Sequence, residues 1–426
     1  MLYTAGAHVF SRCYSTRMNC YIIKYSSNTL PLIAIRGTAG MDLLIKNGLV
    51  YHQGTFHHTS IAISGDKIVS VGCEEHHGGV KEIDVSGKYV LPGFVDIHTH
   101  GSVGVDINHA ASSDIHKVSR FFASQGVTGW LASIVTDTEE NTLRAIQSIC
   151  EAMDHPEPGA ELLGIHLEGP FLSPEYKGAM AGDLLRKADW SLLQKYQQAA
   201  GGRIRYITVS PEVDGVPELI KKACQLGIVV AIGHSGADYE TAMACIEHGA
   251  RCATHIFNAM KGLHHHKPAI SGAVLESDIY CEAICDGRHL HPGIVRLLLK
   301  AKGTDRVIAV TDSIMAAGLC DGRYVLGANA IEVINGDARL MSDGTRAGST
   351  LTMIQALRNL KAFTGKPLEE LIPLLTINPA KLLGLEQTKG TIDSGKDADL
   401  VILDVDLSVE TTLVDGKIAY AKKRTE

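Results

Sequence analysis

Apolar, β-rich runs alternate with segments of helical period through the middle of the chain. The runs are Phe94–His98, Val127–Val135, Leu162–Leu167, Arg205–Val209, Ile228–Ile232, Arg251–Ile256, Tyr280–Cys285 and Val307–Val310. Most are followed by a helical stretch, such as Ser113–Gln125, Asn141–Met153, Val216–Gln225 and Tyr239–His248. Eight such units over residues 92–385 predict an α/β fold, a closed (β/α)8 TIM-like barrel, whose usual size is about 250 residues. An open, doubly wound sheet is the alternative, but no GxGxxG motif opens the first unit.

Short alternating segments at both ends of this region predict strands joined by turns. On the N-terminal side they are Asp42–Val50 with a turn at Asn47-Gly48, Ser60–Val71 with a turn at Gly65-Asp66, and Lys88–Leu91. On the C-terminal side they are Gly390–Ile392, Ala398–Asp404 and Val409–Ala419, the last with a turn at Asp415-Gly416. Because these segments flank one long αβ region, residues 41–91 and 386–426 are predicted to form one small β-sandwich domain.

Composition narrows the class of protein. The formal net charge of −7 does not indicate the basic surface that nucleic-acid binding requires. No apolar stretch approaches the roughly 20 residues that span a bilayer. The ten cysteines are scattered without a CxxC pair, which is typical of reduced thiols rather than of a disulfide framework. We therefore expect a cytoplasmic protein with a small-molecule ligand and no nucleic-acid or membrane partner.

The first forty residues differ in composition from the rest. They contain no Asp or Glu and carry four basic residues among Ser, Thr and Tyr. Such a composition suits a transit peptide, but no amphipathic helix is evident. We therefore predict that residues 1–40 are a disordered extension and that the folded protein begins near Met41.

Polar side chains stand where the predicted barrel strands end, which is where barrel enzymes carry catalysis. The first run ends in His98 and leads to His100, and side chains at i and i+2 of a strand lie on the same face. The third, fifth, sixth and eighth runs end at Glu168, His234, His255 and Asp312. Each residue alone is more often structural, since an Asp after a strand usually caps the next helix. Five tips that agree in barrel order favour a metal site.

The chemistry of this ligand set indicates hydrolysis. Imidazoles and carboxylates hold divalent ions with open positions for water, and such an ion lowers the pKa of water and polarises a carbonyl oxygen. Asp312, beside the metal, can take a proton from water and return it to a departing amine. Nucleophilic catalysis is disfavoured because the chain has no GxSxG elbow and no positioned Cys/His pair.

Several motifs mark this chain. They are Asp96-Ile97-His98-Thr99-His100, His166-Leu167-Glu168-Gly169-Pro170, Gly233-His234-Ser235, Thr254-His255, Asp286-Gly287-Arg288-His289, Thr311-Asp312, and residues 347–353 and 378–380. Over essentially all of residues 41–422 the chain resembles the N-acetylglucosamine-6-phosphate deacetylases of the amidohydrolase superfamily. The resemblance implies a barrel of the metal-dependent amidohydrolase type that converts N-acetylglucosamine 6-phosphate to glucosamine 6-phosphate and acetate.

The resemblance also implies roles for individual residues. Glu168, His234 and His255 would bind the main ion, and His98 and His100 indicate the two-ion subgroup, with Zn²⁺ or Fe²⁺ as the metal and Glu168 as the bridge. Asp312 would be a further metal ligand that also acts as general base and then acid, while His289 would polarise the acetyl carbonyl. The substrate-binding residues would be Ala179, Asn258, Ala259, His266, Asp286, Gly287, His289, Ala347 and Gly348. A homodimer is implied as well.

Three positions depart from the family pattern. Met180 stands where a histidine is usual, and His266 stands where the family has a phosphate-binding arginine that is often donated across a dimer. Imidazole does not replace the bidentate arginine fork in kind. Arg346 stands where leucine is common, and it is interpreted either as a relocated anion contact or as a solvated loop residue. These changes affect the prediction of the sugar phosphate more than that of the deacetylase.

Two other functions remain open. Residues 262–265 and 315–324 also resemble N-acetylgalactosamine-6-phosphate deacetylases, so the galactosamine epimer is a rival substrate. From a different class, the chain could be a non-catalytic scaffold that keeps the barrel for binding. Such scaffolds typically lose metal ligands or the acid/base residue, and here all are present. Metal content would distinguish the two classes.

Overall fold

Eight parallel strands form the central barrel. The computed structural model describes residues 41–72 and 80–423, so the predicted extension at residues 1–40 lies outside the described residues. The barrel strands are Phe94–Asp96, Val127–Val135, Glu161–Glu168, Ile204–Val209, Val229–Ile232, Cys252–Ala253, Tyr280–Ile284 and Val307–Val310. Each strand pairs with the next one along the chain. The predicted (β/α)8 barrel and the positions of its eight strands are confirmed.

The first and eighth strands close the barrel through the loops that carry the predicted site residues. The backbone N–H of Asp312 donates to the carbonyl of His98 at 2.8 Å, and the Thr311 hydroxyl donates to the buried Asp96 carboxylate at 2.5 Å. Closure therefore brings the ends of the first and eighth strands together, although more than 200 residues separate them in the sequence.

Helices surround the barrel. They are Ser112–Ser124, Glu139–Asp154, Trp190–Ala199, Val216–Gln225, Tyr239–Glu247, Ala269–Glu276, Pro292–Lys302, Met353–Thr364, Leu368–Leu371 and Ile377–Leu382. The fourth illustrates the local logic: it begins after Gly215 and buries Val216, Leu219, Ile220 and Ala223 on one face. None of the helices in the described part of the chain combines the length and apolar character needed to cross a bilayer.

Strands from both ends of the described chain form a second sheet. They are Leu43–His52, Thr55–Ser64, Lys67–Val71, Lys81–Asp84, Tyr89–Pro92, Leu400–Leu403, Val409–Val414 and Lys417–Ala421, hydrogen-bonded into one eight-stranded sheet. Leu400–Leu403 runs antiparallel to Tyr89–Pro92, which joins the two ends. The small β-domain built from both termini is confirmed, and the boundaries at residues 91 and 386 stay a prediction.

Two local predictions in this sheet are wrong. The expected turn at Asn47-Gly48 is a bulge inside one continuous strand, since the register shifts between Ile45 and Gly48 and the chain carries on to His52. Asn47 adopts a φ of +64°, which a bulge accommodates as readily as a turn does. Gly390–Ile392 lies outside the strands because it forms a loop, in which a Cβ at Gly390 would stand 2.8 Å from the Cα of Ile377.

A buried lysine ties the terminal sheet to the base of the barrel. The Nζ atom of Lys389 lies 2.6 Å from Glu161, at the start of the third barrel strand, and 2.8 and 3.0 Å from Asp399 and Asp397. Burial lowers the pKa of Lys389, but the charges and hydrogen bonds of Asp399 and Glu161 outweigh burial and raise it well above its usual range. This network stabilises the end of the barrel opposite the site.

The structure contains a three-stranded sheet that the sequence interpretation missed. Its antiparallel strands are Gly322–Leu326, Asn329–Ile334 and Asp337–Leu340, inserted between the eighth barrel strand and the helix Met353–Thr364. The Asn335-Gly336 pair between the last two strands has φ values of +52° and +73°, a hairpin signature that could have revealed it. Residues 341–348, which follow this insertion sheet, form part of the wall of the site.

Candidate active site

Three of the predicted site residues take an unusual backbone conformation at the ends of their strands. His234, His255 and Asp312 have φ values of +47°, +26° and +48°. A left-handed backbone at a residue other than glycine costs on the order of 1–3 kcal/mol and persists where function requires it. Here it turns the chain sharply out of each strand and brings the three side chains together over the mouth of the barrel.

A first group of ligand atoms comes from the first and third strands. The Nε2 atoms of His98 and His100 lie 3.1 Å apart. The His100 Nε2 atom is 3.2 Å from Oε2 of Glu168, and the His98 Nε2 atom is 3.5 Å from its Oε1. All three side chains are buried, and their ligand atoms are close enough together to hold one metal ion.

A second group shares the same glutamate. The Nε2 atoms of His234 and His255 each lie 3.1 Å from Oε1 of Glu168 and 3.1 Å from each other. These atoms form the second set that could hold an ion. Because Glu168 belongs to both groups, the two possible metal sites share its carboxylate.

The donor sets fit a divalent ion. Ligands bound to one tetrahedral zinc ion at about 2.0–2.1 Å lie roughly 3.3 Å from one another, and the separations here are 3.1–3.5 Å. Neutral imidazole nitrogens that face each other at 3.1 Å repel unless a cation or a proton lies between them. The residues present therefore suit two adjacent cation sites of nitrogen and carboxylate ligands.

The charges around the site favour a cation. Burial alone would raise the pKa of Glu168, but the charge of His98 and hydrogen bonds from the other histidines hold it well below its usual range. Burial lowers the pKa of His100, but hydrogen bonds to Asp312 and Glu168 raise it to about 9. The same carboxylates that stabilise a proton on this ring also stabilise a metal ion beside it.

A layer of hydrogen-bond partners lies behind the histidines. The Nδ1 atom of His98 is 2.9 Å from the carboxylate of Glu282, while those of His100 and His234 face the carbonyls of Ser133 and Tyr176 at 3.2 and 3.0 Å. Sequence reasoning missed Glu282 because it lies within the seventh strand rather than at its end. Its signal was a glutamate inside an otherwise apolar run.

Asp312 stands beside the first group. Its Oδ1 atom lies 3.2 Å from the Nε2 atom of His100. Burial raises the pKa of Asp312, yet the charge of His98 and the hydrogen bond to His100 lower it overall. Gly348 packs against it: a Cβ there would come within 2.4 Å of Ile314 and 3.0 Å of the Asp312 carbonyl. A glycine at position 348 therefore leaves room for the loop that carries Asp312.

His289 forms a pair with Asp286. Its Nδ1 atom lies 2.7 Å from the Asp286 carboxylate, which also accepts the His289 backbone N–H at 2.7 Å. Although burial opposes it, the hydrogen bond and charge of His289 lower the pKa of Asp286. The pair fixes the ring and leaves Nε2 as the nitrogen that can meet a ligand.

These residues surround a cavity of about 460 Å³, a size typical of small-molecule sites. Of the predicted residues, those that line it are His100, Ala179, Glu168, His234, His255, Asn258, Ala259, His289, Asp312 and Gly348. His98 is fully buried beneath. Lining residues that sequence reasoning did not select include Tyr176, Gly178, Leu326, Asp343 and Thr345. The last three lie in or next to the insertion sheet, whose position the sequence interpretation lacked.

Four predicted substrate-binding residues lie elsewhere. His266 is exposed on the loop of residues 261–267, and Asp286 lies behind His289. A Cβ at Gly287 would point at Phe363, 3.1 Å away, and Ala347 is buried with its N–H donated to Ala338. None of the four is among the described residues on the cavity wall.

The two remaining departures from the family pattern do line the cavity. Met180 is buried in an apolar cluster with Leu172 and Ile314. Arg346 donates to both oxygens of Asp337, at 2.7 and 3.1 Å, and to the carbonyl of Arg288 at 3.2 Å. Its guanidinium is thus held in place at the cavity wall rather than left in solvent.

Comparison with known proteins agrees with this geometry. Residues 89–419 match the model of the amidohydrolase family. The chain belongs to the amidohydrolase family. This amidohydrolase is 38% identical over 392 residues to an N-acetylglucosamine-6-phosphate deacetylase of Bacillus subtilis, with 90% of this chain and 99% of the relative covered. It is also 33% identical over 333 residues to an N-acetylgalactosamine-6-phosphate deacetylase of Escherichia coli O157:H7, covering 78% and 88%.

A solved structure agrees as well. The crystal structure of an N-acetylglucosamine-6-phosphate deacetylase from Pasteurella multocida superposes on this amidohydrolase with a TM-score of 0.84 at 30% identity, over 89% of this chain and 100% of the other. The family predicted from the sequence motifs is therefore confirmed, together with its barrel and the second sheet.

Proposed function

We propose that this amidohydrolase removes the acetyl group from N-acetylglucosamine 6-phosphate, giving glucosamine 6-phosphate and acetate. The observation that carries the proposal is Glu168, whose two oxygens face two groups of histidines at the floor of the cavity, beside Asp312. Relatives that cover nearly the whole chain bear the name of this deacetylase. Retention of all six predicted ligand residues argues against a non-catalytic scaffold.

The metal site is proposed to take two ions of Zn²⁺ or Fe²⁺. Mixed imidazole and carboxylate donors suit both metals. His98, His100 and Glu168 would hold one ion, and Glu168, His234 and His255 the other. When bound, such ions polarise an amide carbonyl and lower the pKa of water.

The residues around the metal site perform the proton transfers. Asp312, whose pKa is lowered, is ionised near neutral pH and accepts a proton from water as water adds to the acetyl carbonyl carbon. It then delivers that proton to the amide nitrogen as the carbon–nitrogen bond breaks, so that the amino sugar leaves as an amine. The imidazolium form of His289, whose Nδ1–H is held by Asp286, would donate from Nε2 to the carbonyl oxygen as negative charge develops there.

We propose that Lys177 and Arg346, rather than His266, contact the phosphate, which differs from the family pattern. Lys177 and Arg346 both line the cavity, whereas His266 does not. Lys177 precedes Gly178, and a Cβ at Gly178 would be 3.5 Å from the Cβ of Ala259. Lys177 is therefore next in sequence to a residue that lies beside Ala259, whose amide is expected to bind the phosphate. The Asn258 backbone N–H already donates to His255 at 3.0 Å, which leaves this role to Ala259.

Initial rates on three substrates test this function. We expect hydrolysis of N-acetylglucosamine 6-phosphate to exceed that of unphosphorylated N-acetylglucosamine by roughly 10–100-fold in kcat/KM, since hydrogen bonds to a charged group contribute about 1.5–3 kcal/mol. Acetate release measures both. Equal rates would contradict specificity for the phosphate. No measurable rate on any N-acetylhexosamine would contradict the proposed deacetylase activity.

The galactosamine epimer is the second candidate. Its support is the Escherichia coli O157:H7 relative, named for that substrate. N-acetylgalactosamine 6-phosphate therefore forms the third arm of the rate measurement. A higher kcat/KM for it than for the glucosamine epimer would make N-acetylgalactosamine 6-phosphate the preferred substrate, while the proposed reaction would stay the same.

Asp286→Asn tests the role assigned to His289. An amide in place of the carboxylate weakens the hold on Nδ1 and removes the charge that supports the ring as a donor, so we expect kcat to fall about 10–100-fold with little change in metal content. Steady-state rates and metal analysis of the same preparation check this. An unchanged kcat would mean that Asp286 does not act through His289.

We also propose that the protein is a cytoplasmic homodimer. The seven cysteines that the structure describes are free thiols, consistent with a reducing cytoplasm. In the proposed homodimer, the exposed loop that carries His266 would lie at the cavity of the neighbouring molecule. A molar mass of one chain in sedimentation would contradict the dimer.

A further inference from the structure

A single buried glutamate connects both groups of ligands from below. Glu282 lies on the seventh strand and is fully buried. Its Oε2 atom is 2.9 Å from the Nδ1 atom of His98 and accepts the backbone N–H of His255 at 3.0 Å. Its Oε1 atom accepts the hydroxyl of Tyr206 at 2.7 Å. Three strands thus meet at one carboxylate directly beneath the site.

The bond to His98 decides which of its ring nitrogens faces the metal site. A carboxylate acceptor at 2.9 Å requires a hydrogen on Nδ1, so the lone pair of a neutral ring is on Nε2. That atom is the one 3.1 Å from His100 and 3.5 Å from Glu168. In the opposite tautomer, the Nε2 hydrogen would point into the ligand group and His98 could not bind an ion.

The other ligand histidines have weaker support. His100 and His234 face backbone carbonyls, and the buried Nδ1 atom of His255 has no partner among the described residues. Within that part of the chain, a carboxylate therefore stands behind His98 and behind no other ligand histidine. A carboxylate fixes the ring and makes its nitrogen a better ligand, whereas a carbonyl supplies orientation without charge.

We propose that Glu282 is a positioning residue that makes the first-strand subsite, formed by His98, His100 and Glu168, competent to bind its ion. Replacing the carboxylate with an amide should weaken that ion selectively, because the remaining oxygen can still accept the His255 backbone N–H and leave Glu168, His234 and His255 in place. This inference rests on the two-ion form of the proposed function but not on the identity of the substrate.

Metal binding tests the proposal without reference to activity. The full chain, freed of metal by a chelator, is titrated with Zn²⁺ and the bound ions are counted by equilibrium dialysis and elemental analysis. The native protein should bind two ions per chain. Glu282→Gln should bind one of them about 10–100-fold more weakly, the range typical for loss of such a partner, and leave the other unchanged. His98→Gln identifies the weakened ion, since it removes the ligand directly.

Graded variants guard against a general loss of structure. In Glu282→Gln the amide oxygen can still accept from His98 and His255 while its NH2 group faces the Tyr206 hydroxyl, so folding should survive. Glu282→Met offers no acceptor to His98 or to the His255 backbone N–H, so it should weaken the first-strand ion further and also weaken the other ion. Tyr206→Phe keeps the carboxylate on His98 and should have the smallest effect. Thermal unfolding of each metal-free variant shows whether it is folded.

Three results would overturn the proposal. The first is native affinity for both ions in Glu282→Gln and Glu282→Met. The second is equal weakening of both ions in Glu282→Gln, or loss in that variant of the ion that His98→Gln retains. The third is that the native protein binds a single ion and that His98→Gln binds this ion with the same affinity. That result would also contradict the proposal of two ions per chain. A protein that binds two ions but deacetylates nothing would instead contradict the proposed function alone.

Discussion

Glu168→Gln is expected to abolish the metal centre and with it nearly all activity. The native carboxylate places one oxygen 3.2 Å from His100 and the other 3.1 Å from both His234 and His255. A glutamine offers one neutral oxygen, and its NH2 group cannot bind a cation. Both proposed ions should therefore be lost, because neither histidine pair keeps a charged third ligand.

The size of this effect follows from what the ions supply. A metal ion contributes several kcal/mol of charge stabilisation in the transition state, and each 1.36 kcal/mol is a factor of ten. We expect kcat/KM to fall by roughly four powers of ten. Elemental analysis and acetate release measure the two consequences together. Glu140→Gln, on an exposed helix surface, is the matched control and should keep native activity.

Retention of metal in Glu168→Gln would contradict this assignment. If both ions remained bound at native affinity, the glutamate would not be the bridge that its position indicates. Loss of one ion alone would mean that one histidine pair binds without it. Either result can be interpreted without knowing the substrate, because it is a measurement of bound metal.

Asp312→Asn is expected to separate metal binding from chemistry. Asp312 contacts His100 but belongs to neither of the three-ligand groups around Glu168. An asparagine keeps the shape of the side chain and cannot accept a proton. We expect turnover to fall by roughly two to four powers of ten, the usual contribution of a general base, while metal content stays near the native value.

The measurement pairs kcat with bound metal in the same sample. Asp278→Asn, an exposed aspartate near the seventh strand, repeats the chemical change away from the site and should leave both unchanged. If Asp312→Asn instead lost metal in proportion to activity, Asp312 would be mainly a ligand. Native turnover in that variant would remove it from the mechanism.

The barrel could be predicted because its signals are local. Apolar runs that alternate with helical periods required no knowledge of long-range contacts, and both Val127–Val135 and Val307–Val310 match the observed strands residue for residue. The insertion sheet was missed although Asn335-Gly336 marked its hairpin, since a short antiparallel hairpin was not expected within an αβ pattern. The prediction of a turn at Asn47-Gly48 was wrong because a positive φ at Asn47 is compatible with a β-bulge as well as with a turn.

The site divides in the same way. A parallel barrel brings all strand ends to one face, so listing the tips was sufficient to find Glu168, His234, His255 and Asp312. Which loop residues reach the cavity depends on how far each loop folds back. His266 therefore stayed on the surface, while Arg346 reached the wall on the residues that follow the insertion sheet.

The sequence by itself determined the barrel and the family and predicted the two groups of residues that could hold metal, because these follow from periodicity and from residues at strand ends. Only the tertiary structure decided what stands behind those ligands. Glu282 meets His98 across 184 positions of sequence, and such a contact depends on the closure of the barrel and the inward direction of one side chain. No local pattern encodes that distance, since it arises when eight strands pack around one axis.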